Sequence, residues 1–219
     1  MGLMIKSRMP GEPPNLTDVE VWTALLDQPR SVLEVCVASL SRPELDRACR
    51  FATPKLRSHF AVTHAAIRHI LARYTHRSPE QLQFVAGFHG KPVLPHSEWH
   101  FNITHSGAFV ACAVTRMAPV GIDIERIHWM PDMQAIADAH FTRAEYKRLS
   151  ALPVEDRTRG FFECWTRKEA FIKATGRGLS QRLDGFEVTF GPGSVPRILR
   201  VETLWTPLNA GKCALSIPE

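Results

Sequence analysis

The sequence predicts an α+β protein made of two halves, each a small mixture of strands and helices. Segments with the period-two alternation of strands and segments with helical periodicity follow one another along all 219 residues. The break at Arg116–Pro119 is the best boundary, so we predict one domain at 1–116 and a second at 117–219. No internal sequence repeat relates the two halves.

The first half is predicted to begin with a strand and two helices. Val32–Ser39 alternates apolar with small or polar residues, which predicts a strand. Ser41 can cap a helix whose first turn accommodates Pro43. Over Leu56–Tyr74, apolar residues recur at helical spacing and predict a long amphipathic helix. Two strands, Trp99–Ile103 and Phe109–Thr115, follow and are joined by a turn at Thr104–Gly107.

The second half is predicted to contain a strand, three helices and further strands. The first strand is Val120–Glu125, and the last helix ends at Gly176, a residue typical of left-handed helix caps. The helices are predicted at Ala135–His140, Thr142–Leu152 and Glu155–Thr175, and the closing strands at Phe186–Phe190, Arg197–Trp205 and Lys212–Ile217.

The composition excludes several classes of protein. With 44% hydrophobic and 22% charged residues, the chain can bury a core, and no apolar run approaches the roughly 20 residues of a membrane span. The net charge of +5 favours anionic partners, but the basic residues form no block and do not interleave with aromatic ones. The five scattered cysteines contain no C-x-x-C pair. We therefore expect a cytoplasmic protein that binds neither nucleic acid nor membranes.

Two carboxylates stand close together in Val120–Glu125. On a strand, Asp123 and Glu125 point to the same side, opposite to the apolar residues Val120, Ile122 and Ile124. Paired carboxylates repel each other unless a cation lies between them, and Mg²⁺ prefers such oxygen ligands. The alternative is that both residues lie on a solvated strand edge.

A third carboxylate lies on the last predicted helix. Trp165, Glu169 and Lys173 are four residues apart and share one helix face. The alternative is a surface salt bridge between Glu169 and Lys173, worth a few tenths of a kcal/mol. The apolar surroundings of this helix favour partial burial instead, so that Glu169 needs a partner such as the metal of Asp123 and Glu125.

The segment Phe101–Ser106 places hydroxyl and imidazole groups after a strand. Thr104 and His105 can donate hydrogen bonds to phosphate oxygens. A histidine in isolation is more often structural, and the chain has ten, so the surrounding motif is what singles out His105.

Together these segments resemble the 4'-phosphopantetheinyl transferase superfamily. The resemblance is carried by Gly121-Ile-Asp-Ile-Glu125 and, further along, by Trp165-Thr-Arg-Lys-Glu-Ala-Phe-Ile-Lys173. The FNITHS segment and the turn Gly90-Lys91-Pro92 resemble the larger, pseudo-dimeric members, the type that activates surfactin synthetase. The similarity runs from about Val32 to Phe190.

The resemblance implies a fold and a reaction. The fold would be two similar α/β halves packed pseudo-symmetrically, with the active site in the cleft between them, in a monomeric protein. The reaction would transfer the 4'-phosphopantetheine moiety of coenzyme A to a serine of an acyl or peptidyl carrier protein, releasing 3',5'-ADP. The cofactor would be Mg²⁺, with Mn²⁺ as a substitute.

The resemblance also implies a role for individual residues. Asp123, Glu125 and Glu169 would hold the metal, and Glu169 is also a candidate base for the carrier serine. Lys173 would reach the α-phosphate and assist the leaving group, while Glu145 matches a carboxylate that some members keep near the site. Contacts to coenzyme A, mainly from the N-terminal half, are expected from Arg47, Arg50, Lys91, Thr104, His105 and Lys173.

Three positions depart from the family pattern. Glu44 and His128 stand where lysines occur in related enzymes, and His59 stands where some members have an arginine. The catalytic set is unaffected, so these departures concern coenzyme A affinity and carrier preference.

The segment His128–Phe141 is a candidate surface for the carrier protein. It contains three large apolar residues, Trp129, Met130 and Met133, in a predicted loop-to-helix region. These residues either contact the carrier helix that bears the serine or form an apolar plug between the halves.

Two other functions remain open from the residues alone. A Mg²⁺-dependent phosphoesterase, such as a nuclease, could also use D-x-E and E-x-x-x-K, but has no reason to carry the Gly-Lys-Pro turn and FNITHS in this order. A non-catalytic coenzyme A or carrier-protein binding module would be expected to lack one of the catalytic residues, and all four are present.

Overall fold

The computed structural model describes residues 5–6, 19–87, 90–176, 178 and 181–201. The chain divides into two units: unit 1 comprises Met1–Gly87 and Pro92–Met117, and unit 2 comprises Phe88–Lys91 and Ala118–Glu219. Lys91 therefore belongs to unit 2, although the residues on both sides of Phe88–Lys91 belong to unit 1. Each unit mixes helices and strands, which confirms the α+β class. In the described part, none of the helices combines the length and hydrophobicity that a membrane span requires.

Unit 1 is built on an antiparallel sheet of four strands in the order β1-β2-β6-β5. These strands are β1 (Ile5–Lys6), β2 (Glu20–Leu25), β5 (His100–Ser106) and β6 (Phe109–Thr115), and a separate hairpin pairs β3 (Val85–Ala86) with β4 (Pro92–Val93). Strand β2 pairs along its whole length with β6 and was missed by the sequence reasoning. The strand-favouring residue types of Val21, Trp22 and Thr23 were the sequence signal that could have predicted it.

The long helix α3 (Pro54–Thr75) covers this sheet and confirms the predicted amphipathic helix. The Thr53 side chain caps it by accepting a hydrogen bond from the Leu56 N–H at 3.2 Å, and Pro54 fits the first turn. Its apolar stripe packs with Trp22 of β2 and Cys112 of β6 in one core cluster. The two further helices of unit 1 are α1 (Arg30–Ala38) and α2 (Arg42–Ala48), the latter opened by the predicted Ser41 cap.

The predicted strand at Val32–Ser39 is wrong, because α1 occupies this segment. The β-branched residues of the run favour a strand intrinsically, but this preference is weak compared with packing. Val32, Leu33 and Cys36 lie at helical spacing and pack against the α3 cluster that includes Ala61 and Val62. Tertiary packing therefore decided the element.

The predicted turn at Thr104–Gly107 is also misplaced. Strand β5 continues through Thr104, His105 and Ser106, which pair with Ala111, Val110 and Phe109 of β6. The chain reverses at Gly107, whose φ of 57° lies in the left-handed region that glycine tolerates. Thr104 and His105 consequently lie on a paired strand.

The described part of unit 2 contains three α-helices around an aromatic core. The helices are α4 (Met133–His140), α5 (Arg143–Ala151) and α6 (Val154–Thr175), and strands β7 (Phe186–Val188) and β8 (Ile198–Val201) form a hairpin. Phe161 and Phe171 of α6 pack in this core with Phe186. Gly176 ends α6 with φ 69°, as predicted. The predicted strand Lys212–Ile217 and the end of Arg197–Trp205 lie outside the described residues.

The predicted strand at Val120–Glu125 is wrong: apart from a bridge residue at Gly121, the segment is irregular. It packs against helix α6. A Cβ atom at Gly121 would lie 1.9 Å from the carbonyl oxygen of Ala170, a distance that real side chains cannot adopt. Because only glycine fits so close to a helix backbone, the segment contacts α6 directly at Gly121.

A fully buried ion pair links α5 to α6. Lys168 Nζ lies 2.7 Å from Glu145 Oε2, and both side chains are inaccessible to solvent. The remaining polar atoms are satisfied, since Lys168 donates to the carbonyls of Leu183 and Phe186 and Glu145 accepts from the Val188 N–H. Glu145 thus joins α5 to α6 within unit 2.

Candidate active site

The acidic residues of the irregular segment differ in exposure. Val120 and Ile122 are buried, as expected for its apolar side. Asp123 is only 4% exposed, whereas Glu125 is exposed to solvent. The segment therefore presents one carboxylate from inside unit 2 and one from its surface, two residues apart in sequence.

Helix α6 supplies the other charged groups of the site. Glu169 and Lys173 lie one turn apart near its C-terminal end, on the face that also carries Trp165. Lys173 Nζ lies 2.5 Å from Asp123 Oδ1, a short charge-assisted contact between the helix and the irregular segment. The structure therefore brings together Asp123, Glu169 and Lys173, which the sequence predicted as one site.

The pKa of Glu169 reflects electrostatic interaction with the other two carboxylates, Asp123 and Glu125. Partial burial raises the pKa of Glu169, the negative charge of Asp123 raises it further, and Glu125 adds a smaller effect. The ammonium of Lys173 opposes this rise. Three carboxylates thus repel one another across a partly desolvated site, and Lys173 compensates only part of their charge.

The donor chemistry of this cluster fits a hard divalent cation. Carboxylate oxygens are the ligands that Mg²⁺ prefers, and a cation between these three would relieve their mutual repulsion. Within the described residues, however, no three potential ligands have converged to metal-binding geometry. The Lys173 ammonium supplies a positive charge next to the buried carboxylate of Asp123.

Lys91 approaches the same place from a different part of the chain. Its ammonium donates hydrogen bonds to the carbonyl oxygens of Val120 at 2.8 Å and of Lys173 at 2.7 Å. Burial lowers the pKa of Lys91 to about 8. Lys91, which was expected to contact coenzyme A, therefore uses two of its three N–H donors in hydrogen bonds to backbone carbonyls next to the acidic cluster.

The other predicted coenzyme A contacts lie in unit 1. Arg47 and Arg50 are exposed at the end of α2 and line an open pocket of about 700 Å³ together with Phe51. On β5, the Thr104 side chain is buried and that of His105 is exposed. The carboxylate of Asp46 also lines this pocket, so the two guanidinium groups leave it with a net positive charge, which suits an anion.

Two of the three departures from the family pattern, Glu44 and His59, have structural roles in unit 1. Glu44 of α2 accepts hydrogen bonds from the Ser41 N–H, His64 Nδ1 and Arg68 Nε, at 2.8, 3.0 and 2.8 Å. Arg68 is buried, and its Nη1 also donates hydrogen bonds to the carbonyl oxygens of Pro79 and Leu82. His59 Nε2 lies 2.8 Å from Asp27 Oδ1. Glu44 therefore joins α2 to α3 and is unavailable to a phosphate.

Trp129 differs from the two methionines predicted with it. Trp129 is 79% exposed, one of the most exposed large apolar side chains in the described residues. Met130 and Met133 pack against the core of unit 2. Of these three residues, Trp129 therefore presents the largest fraction of its apolar surface to solvent.

Sequence reasoning missed His140 as a member of the site. This last residue of α4 places its ring edge-on against Trp165, with ring centroids 6.0 Å apart. Its electrostatic effect lowers the pKa of Glu169, in the same direction as that of Lys173. Nothing in the sequence relates His140 to α6, because only the packing of the two helices brings them together.

Comparison with known proteins decides the family. The sequence model of the 4'-phosphopantetheinyl transferase superfamily matches residues 119–210. The 4'-phosphopantetheinyl transferase HetI of Nostoc sp. strain PCC 7120 is 37% identical over 206 residues, which cover 90% of this chain and 86% of HetI. The chain belongs to the 4'-phosphopantetheinyl transferase superfamily.

A second relative of this superfamily supports the same assignment. The 4'-phosphopantetheinyl transferase Sfp of Bacillus subtilis strain 168 is 34% identical over 173 residues, covering 78% of this chain and 76% of Sfp. The acidic segment Val120–Glu125 and the α6 segment Trp165–Lys173 both lie inside the range matched by the superfamily model. The resemblance stated from these motifs is confirmed.

Proposed function

We propose that this 4'-phosphopantetheinyl transferase moves the 4'-phosphopantetheine moiety of coenzyme A to a serine of an acyl or peptidyl carrier protein. The products are the holo carrier and 3',5'-ADP. The observation that carries the proposal is the cluster of Asp123, Glu169 and Lys173 in unit 2, within the range matched by the superfamily model. These groups combine an elevated carboxylate pKa with a cation, as phosphoryl transfer to a hydroxyl requires.

Glu169 is the proposed base. The serine Oγ forms a bond to the β-phosphorus of coenzyme A while its proton passes to a Glu169 carboxylate oxygen. A raised pKa makes Glu169 a stronger proton acceptor than an ordinary glutamate while it remains ionisable. The β-phosphorus–oxygen bond to the α-phosphate breaks, and 3',5'-ADP leaves with the bonding electron pair.

Lys173 is proposed to neutralise the leaving phosphate. Its ammonium is half-buried and already oriented towards the acidic cluster by its contact with Asp123. We propose that Asp123, Glu125 and Glu169 hold Mg²⁺, or Mn²⁺ in its place. When bound, the ion would neutralise charge on the pyrophosphate oxygens.

The nucleotide part of coenzyme A is proposed to contact unit 1 and Lys91. Arg47 and Arg50 offer guanidinium groups at one pocket, and His105 is exposed on β5. Thr104 and Lys91 complete the set implied by the resemblance. The proposal also places the active site in a cleft between two similar halves. It assigns the nucleotide contacts to 1–116 and catalysis to 117–219. It further includes a monomeric state and a cytoplasmic location.

The exposed indole of Trp129 is proposed to contact the carrier protein. We expect Trp129→Ala to raise KM for the carrier severalfold without changing KM for coenzyme A or the thermal stability, since the side chain is 79% exposed. Steady-state kinetics with each substrate varied in turn measure both constants. An unchanged KM for the carrier would remove Trp129 from the docking surface.

Intact-mass spectrometry of an apo carrier protein tests the reaction directly. The purified protein is incubated with the carrier, coenzyme A and Mg²⁺, with and without a chelator. A mass gain of one phosphopantetheine, lost with the chelator, is expected. If several unrelated carriers gain no mass while coenzyme A still binds, the protein is a binding module; if coenzyme A does not bind, the phosphoesterase alternative gains support.

A further inference from the structure

The side chain of Lys91 crosses between two backbone segments that are distant in sequence. Its Nζ lies 2.8 Å from the Val120 carbonyl oxygen, 29 residues away, and 2.7 Å from the Lys173 carbonyl oxygen, 82 residues away. One ammonium thus joins the start of the acidic segment to the end of α6. Both acceptors are backbone atoms, so their position directly sets that of the residues nearby.

The Lys173 carbonyl is a suitable acceptor for a cation. It lies in the last turn of α6, where carbonyl groups lack partners within the helix and the helix dipole is negative. A lysine at this place satisfies one of these carbonyls and stabilises the last turn. That turn carries the Lys173 ammonium, and Glu169 precedes it by one turn.

The Val120 carbonyl immediately precedes the closest approach of the acidic segment to α6. At Gly121 the two backbones are so near that a Cβ atom would lie 1.9 Å from the Ala170 carbonyl oxygen. Lys91 and Gly121 therefore hold the segment against the helix at adjacent residues. Asp123 follows two residues later and meets Lys173 Nζ at 2.5 Å.

We propose that Lys91 is a positioning residue, which holds the last turn of α6 against the acidic segment and so sets the geometry of Asp123, Glu169 and Lys173. This inference rests on the proposed transfer reaction and adds to it. It assigns Lys91 a role that precedes any contact with coenzyme A, for which only one of its three N–H donors remains after the two backbone hydrogen bonds.

The chemistry of Lys91 suits this role. Burial lowers its pKa only to about 8, so the group is still mainly protonated at neutral pH. A partly desolvated ammonium needs acceptors, and two carbonyl groups provide them without adding negative charge to the site. The acidic cluster therefore keeps its net negative charge.

Lys91→Met removes the ammonium and keeps most of the side-chain volume. Misplacement of catalytic groups by about 1 Å costs up to about 100-fold, so we expect kcat to fall by about 10- to 100-fold. KM for coenzyme A should change by a smaller factor than kcat, because the proposed contacts from Arg47, Arg50 and His105 remain. Lys91→Arg, which retains a cationic donor, should recover much of the lost kcat.

Hydrogen–deuterium exchange in the absence of coenzyme A is a second measurement, which does not depend on activity. In Lys91→Met, we expect faster exchange in peptides covering 118–126 and 168–176 and unchanged exchange in unit 1. Lys147→Met, at an exposed lysine of α5, is the matched control and should alter neither exchange nor kcat. Should Lys91→Met fail to fold, Lys91→Gln, which keeps a neutral donor for one carbonyl, is measured in the same way.

The outcomes separate this inference from the proposed function. A raised KM for coenzyme A with unchanged kcat and exchange would make Lys91 a substrate contact only and overturn the inference. Faster exchange throughout both units would reduce Lys91 to a general stabilising role and overturn it too. If the wild-type protein transfers nothing, the proposed function fails, while the exchange measurement still tests whether Lys91 holds the two segments together.

Discussion

Glu169 shows how a carboxylate acquires basic character from its surroundings. Partial burial contributes most to its raised pKa, and the negative charge of Asp123 contributes next. The charges of Lys173 and His140 oppose this rise in pKa. A base operating near neutral pH requires this balance.

Glu169→Gln should abolish transfer while leaving the fold intact. The amide keeps the shape of the side chain but cannot accept the serine proton, so we expect kcat to fall by about 10²- to 10⁴-fold. Intact-mass assays of the carrier measure the rate, and circular dichroism checks the fold. Glu155→Gln, an exposed position at the start of the same helix, is the control and should keep normal activity. Near-normal turnover of Glu169→Gln would remove it from the mechanism.

Glu44 illustrates a carboxylate used for stability. Burial alone would raise its pKa, but hydrogen bonds from His64, Ser41 and Arg68 outweigh this effect and lower the pKa to about 2. Because the folded value lies below the ordinary value of 4.5, the ionised form stabilises the folded state. This contribution is fully present above about pH 4.5 and is lost as the pH falls towards 2.

Glu44→Gln should therefore destabilise the protein at neutral pH by on the order of 2–3 kcal/mol. The difference from wild type should shrink as the pH falls from 4.5 towards 2, because the wild-type protein loses its own contribution there. Urea unfolding at several pH values measures this. Glu34→Gln, which alters an exposed pair with Arg30, should show no such dependence. A constant difference down to pH 2.5 would contradict the assignment.

At the scale of elements, α6 is the platform of the site. Its buried face carries Phe161 and Phe171 into the core of unit 2, which fixes its position and rotation. Its half-buried face presents Glu169 and Lys173. The acidic segment can reach these groups only because Gly121 lets two backbones meet.

Gly121→Ala should displace the acidic segment from α6. The added methyl would meet backbone atoms of Ala170 and Ala174 at 1.9 and 2.4 Å, and neither can move without deforming the helix. We expect destabilisation of about 3 kcal/mol or more and loss of transfer activity. Thermal unfolding and the carrier assay measure these effects.

Gly160→Ala on α6 provides the matched comparison. Its methyl would meet the flexible end of the Leu152 side chain at 2.5 Å, and alanine favours the helix by up to about 1 kcal/mol. We therefore expect a change in stability within about 1 kcal/mol of zero and retained activity. Equal effects of the two substitutions would show that close backbone approach is not what makes Gly121 necessary.

At the scale of the whole molecule, charge is the relevant property. The net charge of +5 includes the exposed guanidinium groups of Arg47 and Arg50 beside their pocket. A carrier protein of the acidic helical type would be attracted to such a molecule before specific contacts form. Added salt screens this attraction, since the Debye length falls to about 3 Å at 1 M.

Transfer should accordingly weaken with salt at limiting carrier concentration. We expect kcat/KM for an acidic carrier to fall on the order of 3- to 10-fold between 50 and 500 mM NaCl, while kcat at saturating carrier changes less. Mass spectrometry of reactions quenched at successive times, over a series of NaCl concentrations, measures kcat/KM and kcat. A value of kcat/KM that does not respond to salt would exclude electrostatic steering.

Periodicity in the sequence predicted the long elements of both units. Helices α3 and α6 follow from apolar spacing, and the end of α6 follows from Gly176, whereas the start of α3 at Thr53 and Pro54 was not predicted. Short elements were less predictable. The run at Val32–Ser39 has strand-forming residues yet forms α1, because its burial against α3 outweighs a preference worth at most about 1 kcal/mol.

The residues of the candidate site were identifiable from motifs, but their arrangement was not. Asp123, Glu125, Glu169 and Lys173 stand in two recognisable segments, because phosphoryl chemistry restricts which side chains can serve. That Asp123 is buried against Lys173, and that Lys91 joins Val120 to the end of α6, depends on contacts between residues 29 to 82 positions apart.

The sequence by itself determined the α+β class, the family and the chemical groups of the site, since these depend on residue type and local spacing. Only the tertiary structure decided that Glu44 and Glu145 stabilise helices, that His140 adjoins Trp165, and that Lys91 contacts backbone. The physical reason is that burial and long-range hydrogen bonds assign each charged group its partner. Sequence spacing does not encode which distant carbonyl or carboxylate that partner will be.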